Sequence, residues 1–194
     1  MKAVTQLPEG YREIYSINLQ KDKKSFWFLN LLSFVIFAAM AVPMHFAVPV
    51  TLLFDMSQGM GMYWLRFGMM LLLIAVYMVL HELVHGVTMK LCGTKKIKYG
   101  FTGAMAYAGS EDYYDKKSYI IIALAPVVFW GIVIAIINPF VPASWFWVVY
   151  MVQITNVSGA VGDLFVTVKF SRMPKDILVQ DSGLGMTVYS KTQE

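Results

Sequence analysis

The sequence predicts an all-α membrane protein of four transmembrane helices with both termini cytoplasmic, plus short cytoplasmic β-strands or hairpins. Three observations predict it. Of 194 residues, 58% are hydrophobic and only 14% charged, with a mean hydropathy of +0.58; a soluble domain carries about 25% charged residues. Long stretches lack charge altogether: Ser25 to Phe54 and Ser118 to Gly162 contain no Lys, Arg, Asp or Glu, and Met56 to Leu80 contains only Arg66. A helix needs about 20 apolar residues to cross a bilayer, so these runs have no soluble reading. Disorder, nucleic-acid binding and a soluble secreted domain are excluded. Finally, the basic residues cluster between the runs, and the net charge of +4 reads as membrane orientation rather than as an anionic partner.

The elements follow in order within a single domain, 1–194. Residues 1–25 form a polar cytoplasmic segment with no hydrophobic core of a leader peptide and no small-residue cleavage site, so the first helix is expected to stay as an anchor. Within that segment Tyr11–Leu19 roughly alternates polar and apolar residues, as a strand does. The spans run over about 26–50, 62–92, 119–137 and 144–170. Gly93 is a plausible stop for the second, and Asn138-Pro139 and Pro142-Ala143 break the long charge-free run into two helices. Ile97–Tyr107 is Gly-punctuated and reads as short strands. In the tail, 171–194, Ile177–Val179 and Met186–Tyr189 flank an Asp181-Ser182-Gly183 turn.

Lys2, Arg12, Lys21, Lys23 and Lys24 precede the first span. Lys90, Lys95, Lys96, Lys98, Lys116 and Lys117 lie around the middle loop, and Lys169, Arg172, Lys175 and Lys191 at the end. The 51–61 loop and the 138–143 turn have none, and Arg66 is the one exception. The positive-inside rule places both termini and the middle loop in the cytoplasm. Cys92 is the only cysteine, which excludes an intrachain disulfide and a multi-cysteine metal site.

His81-Glu82-Leu83-Val84-His85 is an H-E-x-x-H motif. On a helix, positions i and i+4 share a face one turn apart, so both imidazoles can bind one zinc ion. Glu82 is offset by about 100°. It can reach a metal-activated water as general base without being a ligand. Three clustered polar groups inside a span are costly and usually functional. A catalytic zinc takes three protein ligands. His45 is excluded as the third, because it lies about 28 Å along an outward-running helix, at the opposite face from His81. Asp163 fits: it lies 19 residues past Ser144, as His81 lies 19 past Met62, so both reach the same depth of about 28 Å. Glu82 and Asp163 are also the only acidic residues within the spans. Asn156, Gly159 and Asp163 share one helical face. Asn156 could bind substrate or the reaction oxyanion, or equally bridge helices.

These residues resemble the site-2 protease class of intramembrane zinc metalloproteases, in which H-E-x-x-H on one transmembrane helix is completed by an Asp on a later one. HELVHG (81–86) and SGAVGD (158–163) match those elements, and Ala125-Pro126 looks like the class's Gly-Pro with Ala replacing Gly. The Asn that often follows that Gly-Pro is absent, and the Asp sits in VGDLF rather than in the usual NPDG-like setting. The layout is closer still to the small bacterial "putative zincin peptidase" family, formerly a domain of unknown function. LPEGYREIYSINLQKDKK, the four spans, HELVHG, the Gly-Asp and VQDSGLGMTVYSK carry that similarity over nearly the whole chain.

The resemblance implies a zinc metalloendopeptidase of the cytoplasmic (inner) membrane of a bacterium. Zn2+ would be its cofactor and a membrane protein or peptide segment its substrate. The lipid bilayer is then its surroundings, and no nucleic acid is a partner. In that class, strands after the zinc helix lie near the active site. Ile97–Tyr107 occupies that place, and Tyr107 joins Asn156 as a candidate substrate or oxyanion contact. The alternative reading is a non-catalytic, metal-binding membrane regulatory protein. A metal transporter is a third, disfavoured by the few polar groups in the outer halves of the second and fourth spans.

Overall fold

The computed structural model describes residues 3–18, 22–102 and 106–191. Leu19 of the expected first strand, Lys2 and Lys21 of the basic set, and residues 103–105 of the expected strand stretch lie outside them. The described residues form a mostly helical protein with β-strands between and after the helices. In chain order these are β1 (Tyr11–Ile17), α1 (Lys23–Ala47), α2 (Met60–Leu91), β2 (Lys98–Phe101), β3 (Ala106–Gly109), β4 (Tyr113–Asp115), α3 (Lys116–Ile137), α4 (Ala143–Ser158), α5 (Val161–Ser171), β5 (Leu178–Asp181) and β6 (Met186–Lys191). Four helical stretches are long and apolar enough to cross a membrane: Lys23–Ala47, Met60–Leu91, Lys116–Phe140 and Ala143–Ser171. Their surfaces agree with that solvent. In α1 only Leu29 is buried, while Trp27, Leu31 and Phe34 are largely exposed. An apolar face of that extent is not left open to water by a monomeric soluble protein.

The expected fourth helix, 144–170, is instead two helices. α4 ends at Ser158 and α5 begins at Val161, so the single face expected for Asn156, Gly159 and Asp163 is interrupted. The break falls at Gly159-Ala160, where the absence of a side chain on Gly159 removes helix preference. Asp163 consequently sits in the first turn of a new helix, where the macrodipole favours a carboxylate.

The chain divides into two compact units. The first comprises Met1–Phe28, His81–Pro126 and Gly162–Glu194. It contains a four-stranded antiparallel sheet in the order β1-β6-β5-β4 and a separate β2-β3 hairpin. The sheet joins strands that are remote in sequence. The N-terminal strand pairs with the last strand, Tyr11 opposite Lys191, and the tail closes onto Tyr113–Asp115 through β5. Its core gathers Met89, Cys92, Tyr114, Tyr119, Ile122, Phe170, Val179 and Val188. The Phe170 ring is tilted against Tyr119 at 5.5 Å and edge-on to Tyr15 at 6.3 Å.

Helix ends in this unit are specified locally. Asp115 caps α3, accepting from the Ser118 amide at 2.9 Å and hydroxyl at 2.8 Å. At the end of α2, Gly93 has φ +101°. Its amide donates to the Lys90 carbonyl and that of Thr94 to the Met89 carbonyl, the bond pair of a glycine-terminated helix.

The second unit comprises Leu29–Leu80 and Val127–Val161. Trp147, Val148, Ile154, Leu53 and Met70 form its main core. Arg66, the one basic residue that broke the charge pattern, is fully buried here. Its guanidinium donates to the carbonyls of Leu52, Ser144 and Asp55, which ties the 50–54 turn to the start of α4. His45 accepts the Val50 amide on Nδ1 at 3.1 Å, a bond that fixes the end of α1.

Because Phe170 links α5 to β1 through Tyr15 and to α3 through Tyr119, Phe170→Ala should remove about 3–5 kcal/mol of stability. Denaturant unfolding of the detergent-solubilised protein, followed by tryptophan fluorescence and circular dichroism, measures it.

Candidate metal centre

The helical period of α2 sets the first part of the site. His81 and His85 are one turn apart and both buried, with ring centroids 4.9 Å apart. The same period turns Leu83, Val87 and Leu91 to the exposed side. The restart of the chain at α5 sets the second part. Asp163 Oδ2 lies 3.3 Å from His81 Nε2, and Oδ1 lies 3.6 Å from His85 Nε2. One donor atom from each of the three residues falls within 4.8 Å of the others. Two ligands bound at about 2.0–2.1 Å around a tetrahedral zinc stand about 3.3 Å apart, so the spacing and the N,N,O donor set fit that metal. His85 is also held from behind, its Nδ1 lying 2.9 Å from the Ile122 carbonyl oxygen.

Glu82 is half-buried and outside this donor group. The backbone amide of Ala108, in β3, lies near its carboxylate. The hairpin is also packed on the motif itself. A side chain at Gly86 would collide with the Tyr99 hydroxyl from β2, so the glycine after the second histidine is what lets the hairpin lie against α2.

Tyr107 and Asn156 are placed differently from the three donors. Tyr107 lies opposite Gly100 in the hairpin, and its ring fills the space above Gly100 and Gly183. Asn156 belongs to the other unit. It is fully buried, accepting from the Tyr77 hydroxyl at 2.8 Å and donating to the Val127 carbonyl at 3.0 Å. Both halves of its amide are therefore used between helices.

Asp181 was legible only as a turn residue, yet it is a buried carboxylate of the same unit as the donors. It accepts the Tyr119 hydroxyl at 2.8 Å and the Gly183 amide at 2.8 Å. Burial pushes its carboxyl above the ordinary carboxylate range, against the lowering effect of those two donors. The Asp-Ser-Gly triplet signals the turn, but the burial arises from strands distant in sequence.

Two predictions follow from this packing. Gly86→Ala would ordinarily stabilise a helix by about 1 kcal/mol. Here it must displace Tyr99, so the helix should melt no earlier while limited proteolysis within 98–109 accelerates. For Asp181 the folded pKa is the higher one, so the native state binds more protons than the unfolded state above the ordinary Asp pKa. Its contribution is present below that pKa and is lost as pH rises through the folded value. Asp181→Asn should therefore flatten the decline in melting temperature of the metal-free protein across that window.

Residues 74–178 match the family described as "Putative zincin peptidase" (DUF3267). An "Uncharacterized 24.7 kDa protein in gap 5'region" of Pyrococcus woesei is 36% identical over 110 residues, 54% of this chain and 47% of that protein. The chain thus spans about half the length of this curated relative. No solved structure matches. With more than half of its length matched, H-E-x-x-H and Asp163 included, the chain belongs to the zincin-like peptidase family.

Proposed function

We propose that the chain is an intramembrane zinc metallopeptidase that hydrolyses peptide bonds in transmembrane or membrane-proximal segments of other proteins. The observation that carries this reading is the convergence of His81, His85 and Asp163 donor atoms within 4.8 Å, with Glu82 adjacent on the same helix. Two imidazoles and one carboxylate are a catalytic donor set, because three protein ligands leave the fourth position open. When bound, zinc supplies Lewis acidity and brings the pKa of water towards about 7.

The chain's own residues do the rest. His81 and His85 present Nε2 atoms, and Asp163 supplies the anionic ligand. Glu82 accepts the proton of the attacking water and returns it to the leaving amine. The Ala108 amide of β3 lies beside the Glu82 carboxylate, which supports a role for the hairpin next to the acid–base group. A substrate helix must unwind to expose its scissile amide. The extended segment so formed adds to the β2-β3 hairpin by backbone pairing. The four apolar helices and the Lys/Arg distribution support a multi-pass protein of the bacterial cytoplasmic membrane with both termini inside.

Glu82→Gln should keep zinc and lower cleavage of a membrane-embedded reporter by about 10²–10⁴-fold. His81→Ala and Asp163→Ala should lose bound zinc, measured as metal per chain. Wild-type turnover in Glu82→Gln overturns the catalytic assignment, and zinc retained in Asp163→Ala overturns the third ligand. Stoichiometric zinc without cleavage of any membrane segment would favour the regulatory reading.

A further inference from the structure

α3 carries Pro126 in its interior. Proline has no N–H, so the carbonyl four residues earlier receives no helical hydrogen bond. That carbonyl belongs to Ile122, a residue only 2% exposed, and a buried carbonyl left unpaired is costly. Its oxygen lies 2.9 Å from His85 Nδ1. A carbonyl can only accept, so Nδ1 carries the hydrogen, and the ring's remaining nitrogen, Nε2, is the one that faces Asp163 Oδ1. Ring nitrogens of metal-binding histidines are commonly set by such an outer partner. The sequence places that partner by omission: the residue that withholds a hydrogen at position 126 vacates the acceptor at 122.

We propose that Pro126 is a positioning residue of the metal centre: it frees the Ile122 carbonyl to hold His85 through Nδ1–H and thereby leaves Nε2 as the ligand atom. Its consequence for metal affinity rests on the zinc reading above, whereas the hydrogen bond itself belongs to the metal-free chain. A proline that merely bends α3 would have no effect on the protonated ring atom of His85. In contrast, any residue at 126 with an amide hydrogen returns a helical donor to Ile122.

The test uses the full chain in lipid nanodiscs, labelled with ¹⁵N-histidine. Only His45, His81 and His85 are present. His45 accepts on Nδ1 from Val50 and so provides an internal reference of opposite polarity. In metal-free wild type, a His85 Nδ1–H resonance protected from exchange is expected, assigned by its loss in His85→Gln. Pro126→Ala and Pro126→Gly should both abolish the protection and weaken zinc binding by about 10–100-fold, read by chelator competition. The His45 signal should not move. Pro43→Ala, which removes the interior proline of α1, should change neither readout.

Persistence of the protected Nδ1–H with wild-type zinc affinity in both Pro126 variants overturns the proposal while leaving the peptidase reading intact. Loss of the protected resonance in a chain whose wild type binds no zinc would instead sink the peptidase reading and the metal-positioning role with it, leaving only the hydrogen bond that Pro126 frees. Circular dichroism showing native helix content excludes unfolding as the source of the loss, and the glycine variant keeps the test open if alanine straightens α3 enough to perturb it.

Discussion

A carboxylate and two imidazoles on helices that are otherwise apolar must find their partners within the protein, because hydrocarbon offers none. The opposition of Asp163 to the Nε2 atoms of His81 and His85 meets that requirement, and much of the surrounding unit is arranged around it. α2 must keep its period through 81–89 so that both rings share a face. The chain must restart at Val161 so that Asp163 enters in a first turn. Gly86 must lack a side chain so that Tyr99, and with it the hairpin, can close over the motif. The same rule accounts for the partners of three other buried polar side chains. Arg66 is surrounded by carbonyls, Asn156 spends both halves of its amide between helices, and Asp181 collects a hydroxyl and an amide.

What could be read from the chain were the features with a short physical period. The i, i+4 spacing of the histidines needs only a helix. The common depth of His81 and Asp163 needs only a constant rise per residue and opposite ends from which to count. The Gly93 terminus is written in one residue. What could not be read depends on neighbours remote in sequence. The break at Gly159-Ala160 lies in an apolar run with no proline to announce it, and a transmembrane pattern looks the same with or without a one-turn interruption. Tyr113–Asp115 is too short for a strand signal and becomes β4 because β5 pairs with it and Val4 bridges to Tyr113. Asp181 looks like any turn aspartate until the sheet and Tyr119 bury it.

Two carboxylates of the first unit show how environment separates like groups. Asp163 faces the Nε2 atoms of two imidazoles. Asp181 has only neutral donors, and burial raises its carboxyl above the ordinary range. Chemically identical side chains are therefore set in different places, one in a donor group that could hold a cation and the other tying Tyr119 of α3 to the turn after β5 through hydrogen bonds that tolerate either protonation state. The tail strands thus brace α3 and, through α3, the Ile122 carbonyl that faces His85.

The exposure pattern of α2 extends this division to solvent. Along the turn that carries the motif, 81, 85 and 89 are buried, 82 is half-buried, and 83, 87 and 91 are exposed and apolar. Glu82 therefore occupies the boundary between the side of the helix that carries the donor atoms and its exposed apolar side, close to the Ala108 amide of the hairpin. A glutamate one position further round would face hydrocarbon without a donor, and at the histidine positions it would become a ligand. On the proposed reading, position 82 keeps the carboxylate out of the donor set yet beside the hairpin on which an extended substrate segment would lie, and it is there that a proton must be moved to cut a peptide bond.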